Sequence, residues 1–488
     1  MKNYLRLSLF LCVFLVVFSF SGGMVFAIEA WDGKLTINGS LRNDSTVRLE
    51  DGEDGLRGPA PGIGTQKGLS SGDYVMSRNT AQVEGRWKLT DNLSLTGIYR
   101  GAYEASLQLD KDLEQNMIDA GAGHKRHDYE YQNDLREFYA DLSWGAGNAW
   151  SMRAGKQQIV WGEALGFRMS DIINPLDYSW NYFYPSWEDI RTPLWGIDLT
   201  RRINEKMTLE LVWLPGAFDD GFEPTKFGIA GTNWGPTGYP QLFLDAINAS
   251  EPENDISNSE YGARLKVILG DWDTSLFWFY SRNDNPIFDS DWLAKLMAGR
   301  KDFFNYPFNH KFGGTFNTYS KALDAVFRGE CVYTIDEPYN PAVPGAMTPE
   351  MKFEKDTFAY FIGMDKLLKI PFINERNFIF LSMQFQQKFI KDFDNRMTTN
   401  DMAQDSHQTL VTLYVDTKYM FEKLTPSIFF MYNASGEHLV NPQVTYDFND
   451  KWTAGIGAHF LDAQNTKEPF FGGFRDNDDV YAFVKFGF

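Results

Sequence analysis

Histidine, cysteine and clustered carboxylates are the side chains that hydrolysis or metal binding would need, and this chain of 488 residues has only six histidines and two cysteines. His124, His127 and His310 fall in irregular stretches, and His407 and His438 fall at the ends of alternating segments. Only His459 lies inside such a segment, where a nearby acid could orient it. No Gly-x-Ser-x-Gly elbow, His-Glu-x-x-His helix, phosphate loop or Cys-x-x-Cys-His haem site is present, so no catalytic activity and no cofactor are expected. Glu50-Asp51-Gly52-Glu53-Asp54 and Asp476-Asn477-Asp478-Asp479 offer oxygen ligands that calcium could use in an outer loop. They lack the spaced pattern of a dedicated calcium loop, and acidic runs are more often simply solvated, so no metal site is assigned.

The charges with a regular spacing are of another kind. Glu84, Arg86, Arg100, Glu137, Asp141, Arg153, Asp198, Arg202, Glu210, Arg264 and Lys266 recur at a period of two, opposite Val83, Trp87, Leu95, Phe138, Ile197, Leu211, Trp213 and Leu265. A period of two puts alternate side chains on opposite faces of a strand. Arg or Lys facing lipid near a bilayer midplane costs about 2–4 kcal/mol, so the charged set belongs to a wet interior. Both signs share one wall, with Arg153 and Asp198 on neighbouring strands. They either pair and hold the wall in shape or set a transverse field across a constriction that orders polar solutes. The later strands line their side with Gln384, Gln386, Thr412, Asp416, Lys418, Asn441, Gln443, Thr445 and His459, fewer of which are charged.

The elements that position these residues are short strands. In the last of them Phe486, Val484, Ala482 and Val480 alternate with Gly487, Lys485 and Asp479, and the chain ends on Phe488. A terminal strand closing on an aromatic resembles the last strand of bacterial outer-membrane barrels, where that end looks like the signal read by the barrel assembly machinery. Aromatics make up 16% of the chain, the mean hydropathy is −0.36, and beyond the first residues no run reaches the length of a spanning helix. An aromatic-rich chain whose apolar residues alternate instead of clustering fits a closed barrel, in which every backbone group is paired between strands.

Spanning strands of about nine to eleven residues, joined alternately by short and long connections, give an all-β, transmembrane antiparallel barrel of about sixteen strands, range about 14–18. Short periplasmic turns and long extracellular loops are expected, the main loops being residues 42–75, 104–131, 162–191, 215–258 and 282–355. Residues 322–334 also read as a strand, but admitting that one strand breaks the alternation, so the segment is assigned to the longest loop. A barrel of this size leaves room for water in its lumen.

Lys2, Arg6, an apolar run over residues 7–20 and Val25-Phe26-Ala27 make a three-part secretory signal over residues 1–27, followed by a single domain over 28–488. Loss of that signal takes Cys12 with it and leaves Cys331 alone, so no disulfide framework is expected. The formal charge of −19 argues against nucleic acid as a partner and against polybasic membrane attachment. The expected setting is the outer membrane of a Gram-negative bacterium, with lipid, lipopolysaccharide and the assembly machinery as partners.

The most distinctive stretch is Gly155-Lys156-Gln157-Gln158-Ile159-Val160-Trp161-Gly162-Glu163, then Asn174-Pro175-Leu176-Asp177, then Glu188 to Trp195. It resembles the outer-membrane family catalogued as domain of unknown function 1302, in which a Gly-Arg/Lys-Gln strand runs to Trp-Gly-Glu and an Asn-Pro-x-Asp loop follows. The likeness is strongest over residues 153–214, and it implies a channel partner for inner-membrane exporters of hydrophobic compounds. Physically, Lys156 breaks the alternation, and a bulge or an exit from the wall there would turn Trp161 and Glu163 inward over the pore.

The loop that follows packs Tyr178, Trp180, Tyr182, Phe183, Tyr184 and Trp187 closely together, as a constriction inside the mouth or as a self-packed outer cap. In the longest loop, residues 289–300 read as a helix with Trp292, Leu293, Leu296 and Met297 on one face, followed by Phe303, Phe304, Tyr306, Phe308, Phe312 and Phe316. An apolar helix in so long a loop needs a partner, and a lid over the lumen or a landing site for an apolar solute would supply one. The leading expectation is an outer-membrane channel for solutes. The alternatives are a gated conduit for hydrophobic compounds working with an inner-membrane exporter, and a surface structural protein or adhesin.

Overall fold

The computed structural model describes residues 28–52, 69–164, 168–183, 186–218, 222–235, 241–341, 353–399, 402–403, 405–463 and 474–488, so the stretch 1–27 expected to be a secretory signal lies outside the described residues. The wall is a closed antiparallel barrel of 18 strands. In chain order these are β1 (Leu35–Arg48), β2 (Tyr74–Lys88), β3 (Leu93–Glu104), β4 (Tyr131–Trp144), β5 (Trp150–Gln157) and β6 (Leu194–Arg202). They continue with β7 (Met207–Leu214), β8 (Glu260–Leu269), β9 (Trp272–Arg282), β10 (Phe308–Ser320), β11 (Ala325–Pro341) and β12 (Phe353–Leu368). The last six are β13 (Ile379–Ile390), β14 (His407–Thr417), β15 (Leu424–Asn433), β16 (Glu437–Asp447), β17 (Trp452–Ala463) and β18 (Asp479–Gly487).

The count stands at the upper end of the expected range because the stretch 282–355 is not one loop. It contains the hairpin β10–β11, paired from Ser320↔Ala325 to His310↔Ile335. One extra strand would break the alternation of short and long connections, whereas two restore it, and the strand read at 322–334 finds its partner in Phe308–Ser320. That partner was hidden because its alternation is blurred at Gly313-Gly314. A Cβ on Gly313 would overlap the Phe277 ring, so the glycine makes room for an aromatic from β9 that lies across it. Phe312 belongs to the outer wall at 44% exposure and not to a lid. The first loop also shortens, since β1 runs to Arg48 and covers the start of the expected 42–75 loop.

Ladder register separates the faces. Val83, Phe138, Leu211, Leu276, Ile362, Met383, Val444 and Ile456 are all exposed on one side, an apolar band that only lipid would cover. The barrel closes where β18 pairs with β1, from Arg48↔Asp479 to Ser40↔Gly487. At that seam Gly39 and Phe488 exchange backbone hydrogen bonds of 2.9 and 3.0 Å, and the Phe488 ring lies where a Cβ on residue 39 would be.

Candidate functional site

Among the described residues, the largest buried apolar cluster is not in the wall but inside it. Inner-face residues Val212, Leu214, Phe277, Phe279, Val332, Phe361, Leu410, Met431, Leu439 and Leu461 pack with Ile159, Trp161, Met169 and Ile173, all contributed by the connection between β5 and β6. This connection therefore crosses the lumen and meets the inner wall on the far side. Of the two readings open for it from sequence, the described part of the loop follows the constriction, while Tyr184 and the Trp187 side chain lie outside the described residues.

Two residues before the chain leaves the wall, Gly155 adopts φ 139°, a region open to few residues with a Cβ. Gln157 then turns its amide onto the Gly196 carbonyl at 3.0 Å and the Arg153 carbonyl at 3.2 Å, where the ladder ends. Asn174, wholly buried, ties the two ends of the loop together. It accepts from the Ile159 N–H at 2.7 Å and donates to the Thr192 and Gln157 carbonyls at 2.9 and 3.3 Å. Thr192 N–H bonds the Pro175 carbonyl at 2.8 Å, and Asp177 N–H bonds the Ile190 carbonyl at 2.7 Å. The Asn-Pro-x-Asp stretch is thus the neck of the loop.

Beyond the neck, Trp161 packs on Phe277 and Phe279 with centroids 5.4 and 5.9 Å away, and its indole N–H donates to Glu210 at 2.6 Å. Arg264 at 2.8 Å and Lys266 at 3.0 Å also bind Glu210, and Arg264 reaches the Trp161 carbonyl at 3.3 Å. The Glu163 N–H, the Ala164 N–H and both donors of Ser170 converge on the Glu330 carboxylate of β11. Arg328 holds the Glu163 carbonyl, and Asn317 donates to the Glu163 carboxylate at 3.3 Å.

Across the lumen, Arg100 bridges Asp189 at 2.6 Å, Arg136 donates to the Glu188 and Arg191 carbonyls, and Gln158 donates to Glu137 at 3.2 Å. Within the loop Arg191 bridges Asp171 at 2.7 Å. The side chains of Tyr182 and Phe183 join Trp234 and Phe474, from two other long loops, and Phe183 lies 5.1 Å from His459. His459 itself pairs with Asp479 at 2.8 Å and stacks on Tyr481.

Below the loop, toward the short turns, the lumen opens into a cavity of about 600 Å³ lined by Lys34, Thr36, Arg86, Ser94, Asp141, Arg153, Asp198 and Thr200 among others. Arg153 bridges Asp141 at 2.8 Å and covers the Tyr139 ring at 4.0 Å. Asp198 is opposite Arg153 in the ladder, yet one of its oxygens has no hydrogen-bond partner among the described residues. Glu84 lies on the same inner face of β2 as Arg86, and Arg202 sits at the short-turn rim with its guanidinium on the Gly147 carbonyl.

Above the loop, described parts of the 215–259 and 283–307 connections pack into a cap. Trp292 is buried with Phe288, Phe303, Phe304 and Tyr306 against Ala246 and Ile247. Leu293 and Leu296 pack on the same cluster, while Met297 is 81% exposed. This helix thus rests on the neighbouring loop, and Asn233, from the 215–259 connection, meets Arg48 of β1 and Asn477 in hydrogen bonds. Lys226 in the same connection is partly withdrawn from water, which opposes its charge, but Glu223, 2.9 Å away, and Asp177 outweigh this and hold its pKa above the ordinary lysine value. Burial pushes the Tyr178 phenol up to about 12.

Asp73, Asp110 and Asp112 bring carboxylate oxygens within 4.8 Å of one another. Asp110 is occupied as a helix cap, accepting from the Asp112 N–H, and as an acceptor for the Tyr74 N–H. Of the acidic runs read from sequence, Glu50, Asp476 and Asp478 line one cavity at the long-loop rim with Asp462.

Glu330, Arg328, Asn317, Phe277 and Phe279 were not singled out from sequence. The first three lie in the hairpin assigned from sequence to a loop, and Trp278-Phe279-Tyr280 is aromatic on both faces, so it carries no contrast. The motif residues Trp161, Gly162 and Glu163 and the neck residues Asn174, Pro175 and Asp177 are brought together in one loop. A family model described as a protein of unknown function, DUF1302, matches residues 10–488. The chain belongs to this family.

Among curated proteins none matches the sequence. Solved structures similar to this DUF1302 chain include OccAB3 of Acinetobacter baumannii, at 9% identity and a TM-score of 0.48 over 93% of this chain and 99% of that one. OpdK of Pseudomonas aeruginosa, solved with vanillate, has 9% identity and a TM-score of 0.49 over 93% and 98%. OmpF of Salmonella typhi, solved with daunomycin, has 9% identity and a TM-score of 0.43 over 94% and 100%. Likeness at this level carries nothing about solute or mechanism.

Proposed function

We propose that this DUF1302 protein is an outer-membrane channel, with its short turns in the periplasm, whose lumen is closed in the observed conformation by the loop between β5 and β6. The observation that carries this reading is the docking of Trp161 and Glu163 on the opposite inner wall through Glu210 and Glu330. A solute passes only when that loop moves or leaves a path beside it. The charged cavity at the short-turn end then acts as the vestibule, with Arg86, Arg153, Asp141 and Asp198 meeting the solute.

The inner wall favours one class of solute over small ions. A pore for free diffusion is lined by polar groups and water. Here Phe277, Phe279, Phe361 and Met431 face inward, and they would be bared to the lumen if the loop withdrew. That supports a gated conduit for compounds with an apolar body, and an inner-membrane exporter is the partner such a conduit would serve. Planar-bilayer recording tests the channel. Wild-type protein is expected to conduct weakly, and a variant lacking residues 162–171 to conduct strongly. A folded barrel that passes no ions after that deletion would remove the channel reading.

A further inference from the structure

We propose that the two neighbouring short turns 369–378 and 418–423 form a binding site for an anionic phospholipid of the periplasmic leaflet. The leaflet assignment rests on the outer-membrane reading above. The first turn joins β12 to β13 and the second joins β14 to β15, and because β13 pairs with β14 the turns lie side by side. They are knitted together. Asn374, buried at 4% exposure, donates to the Thr417 hydroxyl at 2.9 Å and the Lys418 carbonyl at 2.8 Å. Asn377 donates to the same carbonyl at 2.6 Å, and the Tyr419 hydroxyl donates to the Ile373 carbonyl at 2.8 Å.

These contacts lean the longer turn against the outside of the wall. Thr417 pairs with Ile379 on the same face as Leu381 and Val415. Ile379 is only 5% exposed there, whereas Ile362 and Met383 on the same face are 50% and 45% exposed. The turn therefore lies beside the barrel at the lipid boundary and not beneath the lumen.

What the pair displays is apolar at the tip and basic at the flank. Phe372 is 88% exposed, Phe421 87% and Met420 59%. Met420, Phe421 and Glu422 hold φ of 52°, 59° and 69°, three successive left-handed residues without a glycine. Each costs about 1–2 kcal/mol, and strain of that kind persists where a display is held for a purpose. Arg376, Lys418 and Lys423 are exposed, and among the described residues none of the three forms an ion pair. Arg376 stands 5.7 Å from the Phe421 ring. Lys369 is spent on the Glu375 carbonyl at 2.9 Å, and Glu375 and Glu422 are the acids of these turns.

Exposed rings and exposed cations side by side at the edge of the lipid-facing wall offer apolar contact and positive charge to one anionic phospholipid. The concentration of free cations is notable in a chain whose formal charge is −19.

The test is native mass spectrometry of the folded barrel in detergent with added phosphatidylglycerol or phosphatidylcholine. Phosphatidylglycerol is expected to stay bound preferentially, and R376Q/K418Q/K423Q to lose that preference by about tenfold or more. F372S/F421S is expected to lower retention of both lipids, and K206Q, in another short turn, to change nothing. Heat-dependent gel mobility establishes that each variant is a closed barrel. Equal retention of the two lipids by the wild type, or undiminished phosphatidylglycerol retention by the triple variant, would overturn the proposal. So would an F372S/F421S variant that keeps its lipid but loses cross-linking to a periplasmic protein. A wild type without lipid preference but with the predicted conductance would sink this inference alone, while a folded barrel that never conducts would sink only the channel.

Discussion

Ser170 gives both of its donors to one side chain, its N–H at 2.8 Å and its hydroxyl to the same carboxylate oxygen of Glu330. The other oxygen takes the N–H groups of Glu163 and Ala164. A single carboxylate on the barrel wall thus gathers four donors from a loop that has crossed the lumen.

Removing that carboxylate strands the four donors, and each buried donor left unmade costs about 1–3 kcal/mol. Glu330→Ala is expected to undock the loop, raising single-channel conductance several-fold and opening residues 162–171 to protease. Glu330→Gln keeps one acceptor oxygen and should fall between. Conductance identical to wild type in both variants would mean that Glu330 does not hold the loop in place.

Trp161 anchors the same loop by packing instead of by charge. Trp161→Ala loses its contacts with Phe277 and Phe279 together with the bond to Glu210, and truncations of this size cost about 3–5 kcal/mol in cores. Trp161→Phe keeps most of the packing and loses only the hydrogen bond. Conductance should rise in the order wild type, W161F, W161A, with gel mobility of the unheated barrel unchanged. The reverse order would show that the indole acts elsewhere.

The seam offers a test of closure that does not involve the lumen. A Cβ on Gly39 would stand 2.7 Å from the Gln82 carbonyl oxygen and 2.8 Å from Cε2 of Phe488, whereas one on Gly85 meets nothing within 4 Å. Gly39→Val is expected to lower the temperature at which the barrel loses its compact gel mobility, and Gly85→Ala to leave it alone. Equal effects of the two substitutions would remove the special role of the Phe488 contact.

These three sites differ in how far the sequence discloses them. The wall is legible where its two faces differ in kind, as at Val83 and Glu84 or Leu211 and Glu210, because alternation then has contrast. It is illegible in β10, where Phe312 faces out, Gly313 faces in and Gly314 follows, and without that strand its partner β11, though it reads as a strand, has no place in the wall and takes Glu330 into the loop. Trp161 and Glu163 stand out as residue types, but their partners do not. Glu330 binds backbone N–H groups, which leave no trace in side-chain identity, and Phe277 and Phe279 lie in a run aromatic on both faces. Whether the aromatic loop caps the mouth or fills it depends on Trp234 and Phe474, which are brought to Tyr182 and Phe183 only by closure of the ring.

The long-loop rim carries a pH dependence of its own. Asp478 precedes β18 and accepts the Leu461 N–H at 2.6 Å. Burial pushes its carboxyl up to about 6, with Glu50, Asp479 and Asp462 adding to the shift. An unfolded aspartate titrates near 3.9, so the folded state binds the proton more tightly. The resulting stabilisation is fully present below about pH 4 and is lost as pH rises through about 6. The Leu461 amide should accordingly be better protected from hydrogen exchange at pH 5 than at pH 7.5, after correction for intrinsic exchange. Asp478→Asn, which cannot ionise, should flatten that difference. A protection factor in the wild type that rises with pH over this window would mean that the bond to Leu461 outweighs the repulsion among the four carboxylates.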